Sequence, residues 1–358
     1  MKKNLTISIF LIVLICLLGC RQEDQGIETF TEFPVTDTLE AIEPNVKAYF
    51  RGADLYVYDS LLILETMYAD NKLHLYNKNT FEQLAISGVA GKGPGEIRNP
   101  FGTALDRQNG VIWYCDQGNR NIWKFEIEGI LKDTAYRPEE SVKIPTGPKF
   151  ISNHKYLRDG LFTYPDNEQA NYLKTFNTKG EIVDSILNRT NIYPDLKPKE
   201  IMYTTSYLYT IHPSKERIFL AYHSADIIVC TDFEGNVLYV KQGPDMIQEK
   251  PKRMAAREEA KENKKSTYWR IRADDKYLYC LYSGRNSWRM ENDKPTPQYS
   301  RKILIFTQEG DPVMKLRLEH PTPVLALDKE NDRIITYPWS IGNVVYYNFD
   351  FDRLDEID

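Results

Sequence analysis

Short apolar runs at strand spacing recur from about residue 28 to the end of the chain, and helical periodicity is nearly absent. The runs repeat as a unit. An apolar run ending in an aromatic, followed by three residues and a glycine, appears as Ile122-Trp123-Lys124-Phe125 to Gly129, as Tyr172-Leu173-Lys174-Thr175-Phe176 to Gly180, and as Ile303-Leu304-Ile305-Phe306 to Gly310. Ile227-Ile228-Val229-Cys230 to Gly235 carries Thr231 at the aromatic position, and two looser copies run Leu73-His74-Leu75-Tyr76 and Val344-Val345-Tyr346-Tyr347. The six anchors Tyr76, Phe125, Phe176, Thr231, Phe306 and Tyr347 are separated by 49, 51, 55, 75 and 41 residues. Each glycine suits the left-handed corner of a tight hairpin turn, where a Cβ is costly. A further strand behind a turn precedes each anchor, as in Asn109-Gly110-Val111-Ile112-Trp113-Tyr114. Roughly four strands in about 40 to 55 residues, repeated six times, is the pattern of propeller blades. The prediction is an all-β chain, a six-bladed β-propeller with four-stranded antiparallel blades, filling residues 28–358 as a single domain.

A blade buries its faces only against neighbours, so the row must close into a ring. Glu28-Thr29-Phe30-Thr31-Glu32-Phe33 is expected to close it, with residues 28–35 completing the last blade around 321–352. The long fourth gap has a visible cause. Residues 246–267 are rich in helix formers, with Glu258/Lys261 and Glu262/Lys265 at helix-neighbour spacing and no broad apolar face. This predicts one short solvated helical insertion between blades 4 and 5. A second excursion, 286–298, holds Trp288, Arg289 and two prolines and reads as a surface loop.

The N-terminus follows a different pattern. Met1-Lys2-Lys3-Asn4 precedes a nearly unbroken apolar stretch from Leu5 to Leu18, too short to span a roughly 30 Å hydrocarbon core comfortably. Residues 1–19 are therefore expected to be a signal peptide. Leu17-Leu18-Gly19-Cys20 resembles the bacterial lipobox, which implies lipidation of Cys20, with residues 20–27 as a polar, partly acidic tether. The acidic cluster behind Cys20 is similar to an export signal of Bacteroidetes lipoproteins. An outer-membrane address, periplasmic or surface-exposed, is the expectation, with the lipid as the link to the membrane.

Removing Lys2 and Lys3 from 46 basic residues leaves 44 against 51 acidic ones, a net charge near −7. Nucleic acid and anionic headgroups are poor partners for such a chain, since both reward clustered Lys and Arg. A protein or small-molecule ligand fits better. Cys115, Cys230 and Cys280 remain once Cys16 leaves and Cys20 is acylated. Each sits in a strand-like run and is expected to be a small buried hydrophobe, with one accidental pair left open.

Most familiar chemistry is missing. Gly91-Lys92-Gly93-Pro94-Gly95-Glu96 lacks the P-loop count and reads as a blade-to-blade turn. His74, His154, His212, His223 and His320 form no close ligand pair, so no metal and no cofactor is expected. No Gly-x-Ser-x-Gly elbow exists, and Tyr282-Ser283-Gly284 lacks its context. Asp70, Asp116, Asp166 and Asp226, each shortly before an anchor strand, read as turn formers that could also cap a channel. Tyr203, Tyr207 and Tyr209 share one strand face, which strand propensity explains better than a sugar platform. No catalytic residue emerges.

Gly91 to Glu96 followed by Asn99-Pro100, and Tyr268 to Gly284 with Asp274-Asp275-Lys276-Tyr277-Leu278-Tyr279, resemble the TolB-like six-bladed propeller lipoproteins of Bacteroidetes. Asp116-Gln117-Gly118-Asn119-Arg120-Asn121-Ile122 to Phe125 is similar to the NHL repeat. The resemblance spans roughly residues 45 to 352 and implies architecture rather than activity. The function expected is non-catalytic binding by a lipid-anchored envelope propeller. The alternative is a hydrolase or lyase with a polar or metal site in the central channel, since NHL-like propellers include such enzymes.

Overall fold

Alternate residues of one strand serve two different seams. In β4 (Leu61–Glu65), Leu61 and Ile63 pack in one core cluster while Leu62 and Leu64 pack in another. The same split occurs in β17 (Ile227–Asp232), where Ile227 and Val229 face one way and Ile228 and Cys230 the other. Side chains alternate across a strand, so a strand sandwiched between two sheets must be apolar throughout. That is why these segments read as continuous runs rather than as alternation.

The computed structural model describes residues 26–44, 46, 54–133, 135–147, 151, 153–166, 171–188, 207–212, 214, 216–247, 265–291 and 294–357. Two strands, β1 (Glu28–Thr29) and β2 (Val35–Leu39), precede the blades. Blade 1 is β3 (Asp54–Tyr58), β4, β5 (Asn71–Asn77) and β6 (Gln83–Val89), and blade 2 is β7 (Pro100–Asp106), β8 (Val111–Asp116), β9 (Asn121–Glu126) and β10 (Ser141–Lys143). Blade 3 follows as β11 (Lys155–Arg158), β12 (Leu161–Pro165), β13 (Asn171–Phe176) and β14 (Ile182–Asn188). Blade 4 is β15 (Tyr207–His212), β16 (Arg217–Tyr222), β17 and β18 (Val237–Gln242). Blade 5 is β19 (Lys265–Ala273), β20 (Tyr277–Asn286), then a hairpin of β21 (Trp288–Glu291) and β22 (Lys294–Pro297), then β23 (Ser300–Thr307) and β24 (Pro312–Thr322). Blade 6 has β25 (Leu325–Asp328), β26 (Arg333–Thr336) and β27 (Val345–Asn348).

The first strands of the blades, β3, β7, β11, β15, β19 and β25, touch one another around the axis, including β25 with β3. Among the described residues six apolar clusters fill the six seams between consecutive blades, the sixth joining blade 6 to blade 1. The ring is therefore closed, a six-bladed propeller as the repeat predicts. Among the described residues the helical segments include α1 (Ile127–Lys132), a 3-10 turn at Lys329–Asn331 and α2 (Arg353–Ile357), and no helix is long and apolar enough to cross a membrane.

All six anchors are buried and fall on the third strand of successive blades. In blades 1, 3, 4 and 5 the register to the fourth strand slips at the anchor itself, at Tyr76, Phe176, Thr231 and Phe306. The turn behind three of them is the same. Asn177 N–H donates to the Glu181 carbonyl and Gly180 N–H to the Asn177 carbonyl, and Asp232/Gly235 and Thr307/Gly310 repeat this pair of bonds. Gly180, Gly235 and Gly310 have φ of 78°, 87° and 88°. A Cβ on Gly180 would also lie 2.6 Å from the Lys143 carbonyl oxygen in the neighbouring blade. Gly180→Ala should therefore lower unfolding free energy by about 2 kcal/mol in urea titration, and an unchanged midpoint would contradict this account of the turn. Gly129 departs from the expectation: it lies inside α1, where Tyr136 packs so closely that a Cβ would stand 2.4 Å from its ring.

Closure does not follow the predicted route. Residues 28–35 pair with no strand of the last blade. Instead β1 runs parallel to β18, with Glu28 ion-paired to Lys241, and β2 runs parallel to β24 from Val35/Met314 to Leu39/Leu318. The backbone bridge to the last blade is made by Ile42, which exchanges two hydrogen bonds with Tyr346 at 2.9 and 3.0 Å. The segment walks along the outer edges of blades 4, 5 and 6 in turn, because Phe30 and Phe33 fill the seam between blades 4 and 5, edge-on to Phe306. Blades 4 and 5 thus have five strands in their sheets, and blade 6 three plus the bridge at Ile42, rather than four each.

Two insertions also need restating. The helix expected over 246–267 falls on residues 248–264, outside the described residues, and 265–267 already belong to β19. The excursion at 286–298 is the β21/β22 hairpin, with Trp288 opposite Pro297. Residues 1–25, with the signal segment and Cys20, lie outside the described residues.

Candidate functional site

The paired register locates the residue just before each anchor's partner on the inner strand. In blade 1 Tyr76 pairs with Leu62 and Leu62 with Val57, so the preceding residue is Tyr56. Blade 3 leads by the same path from Phe176 through Phe162 and Tyr156 to Lys155, and blade 5 from Phe306 through Leu278 and Ala273 to Arg272. Blades 2, 4 and 6 place Ala104, Thr210 and Ala326 there. Large polar side chains thus alternate with small ones around the axis. Ala104 and Ala326 pack into neighbouring seams, while the large side chains of blades 1 and 5 meet: the Arg272 guanidinium lies 5.3 Å from the Tyr56 ring centroid.

Asp54 anchors this convergence. Its carboxylate accepts from Arg272 at 2.6 Å, from the Leu55 amide at 2.9 Å and from the Tyr56 hydroxyl at 3.1 Å, and Arg270 stands 3.2 Å away. Burial alone would raise its pKa, but Arg270 and Arg272 outweigh burial and hold it well below the usual carboxylate range. Both arginines come from blade 5 and reach blade 1 past blade 6. Directly opposite Asp54 in the β3/β4 register sits Glu65, a like-charge neighbour. Burial and then Asp54 push Glu65 up to about 7.

Proton counting gives the same answer. Glu65 lies 2.8 Å from the Thr103 hydroxyl, that hydroxyl 2.9 Å from the Tyr56 hydroxyl, and Tyr56 3.1 Å from Asp54. Three oxygen–oxygen contacts need three protons, and Thr103 and Tyr56 bring two. The third belongs to Glu65, since Asp54 is held ionised by two guanidinium groups. With Glu65 ionised, Thr103 donates to it and Tyr56 to Asp54; with Glu65 protonated the same contacts run as one chain, Glu65 donating to Thr103, Thr103 to Tyr56 and Tyr56 to Asp54. Burial, Asp54 and Glu65 together push the Tyr56 hydroxyl far above its ordinary value, so Tyr56 keeps its proton.

Lys155 completes the group. The residue is half-buried, and its ammonium feels Arg272, Asp54, Arg270 and Glu65 and among the described residues makes no hydrogen bond or ion pair. Burial and then Arg272 pull its pKa down to about 8. Arg270 Nε is likewise buried without a hydrogen-bond partner. With Glu65 protonated, three cations face one anion. The arrangement is an electropositive polar centre with two unmet donors.

The residues singled out by sequence stand elsewhere. Asp116 is fully buried and accepts from the amides of Arg98, Asn99 and Gly118 and from Asn119, the work of a turn former. Asp166 pairs with Lys174 at 2.9 Å, and Asp70 is exposed. Asp226 accepts from the Asp245 amide at 2.8 Å, and burial leaves its pKa raised despite the backbone hydrogen bonds that lower it. Tyr207 and Tyr209 are core residues of the seam between blades 3 and 4, and Tyr203 lies outside the described residues. The histidines are scattered: His74 contacts Asn71 and Gln83, His154 the Trp113 carbonyl, His212 Ser214, His223 the Tyr268 carbonyl, and His320 sits beside Glu319. Among the described residues no three His, Cys, Asp or Glu side chains come together in a way that could hold a metal. The glycine loop supplies its own anion, with Glu96 accepting from the Gly93 amide at 2.8 Å. Cys115, Cys230 and Cys280 are buried and free, and burial pushes the Cys230 thiol up to about 12.

Sequence reading missed Asp54, Tyr56, Glu65, Lys155, Arg270 and Arg272. The link between Tyr56, Lys155 and Arg272 is their common position two strand pairings back from an anchor, which needs the paired register to be seen.

The chain matches a family model described as TolB-like 6-blade propeller-like over residues 30–330. Among solved structures, a Bacteroides vulgatus protein of the DUF4221 family is 12% identical with a TM-score of 0.63, the match covering 88% of this chain and 97% of that one. A Bacteroides fragilis protein named as exported is 13% identical with a TM-score of 0.53, covering 90% and 99%. At these identities the likeness shows the fold alone. No curated protein matches the chain.

Proposed function

The chain belongs to the TolB-like 6-blade propeller-like family, and from that premise we propose that it is an exported, lipid-anchored outer-membrane protein that binds a solute at its central channel without transforming it. The observation that carries the binding reading is the convergence of Tyr56, Lys155 and Arg272 from alternate blades onto the axis, with two donors unmet. Preformed polar groups in a concave centre are what a ligand site requires. The address is supported by Leu17-Leu18-Gly19-Cys20 and by the likeness to a protein named as exported. Acylation of Cys20 anchors the propeller through the segment that first meets blade 4 at Glu28. Cys20→Ala should move most of the chain from the membrane to the soluble fraction, and unchanged fractionation would overturn the anchor. Native mass spectrometry of the full chain extracted from its membranes should release an unmodified solute.

One observation favours an enzyme: a carboxyl titrating near neutrality beside a depressed lysine is the profile of an acid–base pair. Glu65, however, is 4% exposed and its carboxyl is already hydrogen-bonded to the Thr103 hydroxyl. Release of a chemically altered solute would decide for catalysis.

A further inference from the structure

The unmet donors at the axis have a definite chemistry. Resting on the binding reading above, we propose that the solute carries a small oxyanion, a carboxylate or phosphate, held by the Lys155 ammonium and Arg270 Nε, while Arg272 remains bound to Asp54 as the fixed part of the site.

The arrangement of donors favours such a group. Arg272 uses its guanidinium on Asp54 and on the Leu55 carbonyl at 3.2 Å, so it is already committed. Arg270 shares Asp54 through one terminal nitrogen at 3.2 Å and leaves Nε unpaired. Among the described residues the Lys155 ammonium makes no hydrogen bond or ion pair, and it feels the charges of both arginines. A partly desolvated ammonium beside two guanidinium groups is held there against repulsion, which an anion between them relieves. Ala104, Thr210 and Ala326 at the intervening positions bring no competing charge. An oxyanion accepts from Lys and Arg together, which a neutral solute does not match.

Glu65 sets the pH range of the site. Facing Glu65 are Asp54 on the adjacent strand, Thr103 and Tyr114 from blade 2, Tyr56 from blade 1, Arg270 from blade 5 and Lys155 from blade 3. Protonated, Glu65 adds no negative charge and leaves the cations to the ligand. Ionised, it competes for them, while Lys155 loses its own charge over a similar range. Affinity for an oxyanion should therefore fall as pH rises.

The test is thermal unfolding of the full chain in detergent, titrated with succinate in one arm and inorganic phosphate in the other, with a neutral sugar as control. At about pH 6 a saturable rise in Tm is expected with at least one oxyanion, and the arm that responds identifies its chemistry. Binding should weaken about tenfold or more by about pH 8.5. Lys155→Met should abolish the oxyanion response while leaving the unliganded Tm equal or higher, because it removes repulsion with Arg270 and Arg272. A Lys155→Met chain that unfolds at lower temperature without ligand would assign Lys155 to holding the fold, and would overturn the proposal. So would the absence of a saturable response to either oxyanion at about 10 mM. If both arms fail while the chain still releases a neutral solute on native mass spectrometry, the binding reading stands and only the oxyanion is lost.

Discussion

Asp54→Ala should destabilise the propeller by about 3–5 kcal/mol, the largest single effect expected at the axis, because it leaves Arg270 and Arg272 facing each other in a site where water screens poorly. The carboxylate is 11% exposed and the two guanidinium groups 21% and 17%, so this pair lies below the surface regime in which ion pairs contribute almost nothing. Asp54→Asn separates charge from shape: it retains an acceptor for the Leu55 amide and the Tyr56 hydroxyl but removes the charge both arginines need. Comparable losses in the two variants, measured by urea unfolding at neutral pH, would place the effect on charge. Adding Arg272→Met to Asp54→Asn should recover part of the loss, since one stranded cation then disappears. A loss below about 1 kcal/mol in both single variants would mean that solvent already screens the channel, and the electropositive centre would lose its significance.

The ring was legible because blade geometry leaves marks on local sequence. The third strand ends at a bulge, and the turn behind it needs a left-handed residue, so an aromatic anchor followed by glycine reappears at Phe176/Gly180 and Phe306/Gly310. Blade 1 looks looser since its turn is one residue longer, and Phe81 rather than glycine takes the positive φ of 57°. Chain direction at the N-terminus left no such mark. The segment around Phe30 and Phe33 reads as an edge strand for any blade, and only the aromatic seam around Phe306 selects its place. The β21/β22 hairpin was hidden by its prolines, which a two-stranded edge tolerates where an interior strand would not.

The axial site was hidden for a different reason. Its members are one or two residues per blade, and Asp54 meets Arg272 across a sequence separation of 218. No local motif can encode a contact of that range. Glu65 and Lys155 look in sequence like ordinary charged residues at a strand end and a strand start. Lys155 is distinguished by the inner-strand position it shares with Tyr56 and Arg272, and Glu65 by standing opposite Asp54, and both appear only after the strands are paired.

Glu65→Gln should have little effect on stability at about pH 5 and raise it by about 1–3 kcal/mol at about pH 8, reversing the usual expectation for removing a buried charge. The sign follows from the direction of the shift. Folding raises the Glu65 pKa from 4.5 to about 7, so between these values the native chain binds more protons than the unfolded one. Stability contributed by this group is complete below about pH 4.5, declines as pH rises through the window, and is lost above about 7. A shift of this size corresponds to at most about 3 kcal/mol. Glutamine mimics the protonated acid permanently: its amide nitrogen can donate to Thr103, so the chain through Tyr56 to Asp54 stays intact at every pH. Buried His154, pushed down to about 3 by burial, also titrates, but it is common to both proteins and cancels in the difference. The quantity to measure is therefore the unfolding free energy of the variant minus that of the parent, from about pH 5 to pH 8. A rising difference with its midpoint between the two pKa values supports the protonated acid at the axis. A difference that does not change with pH would mean that Glu65 is ionised at both ends of the range, and the hydrogen-bond chain would have to be rebuilt without its third proton.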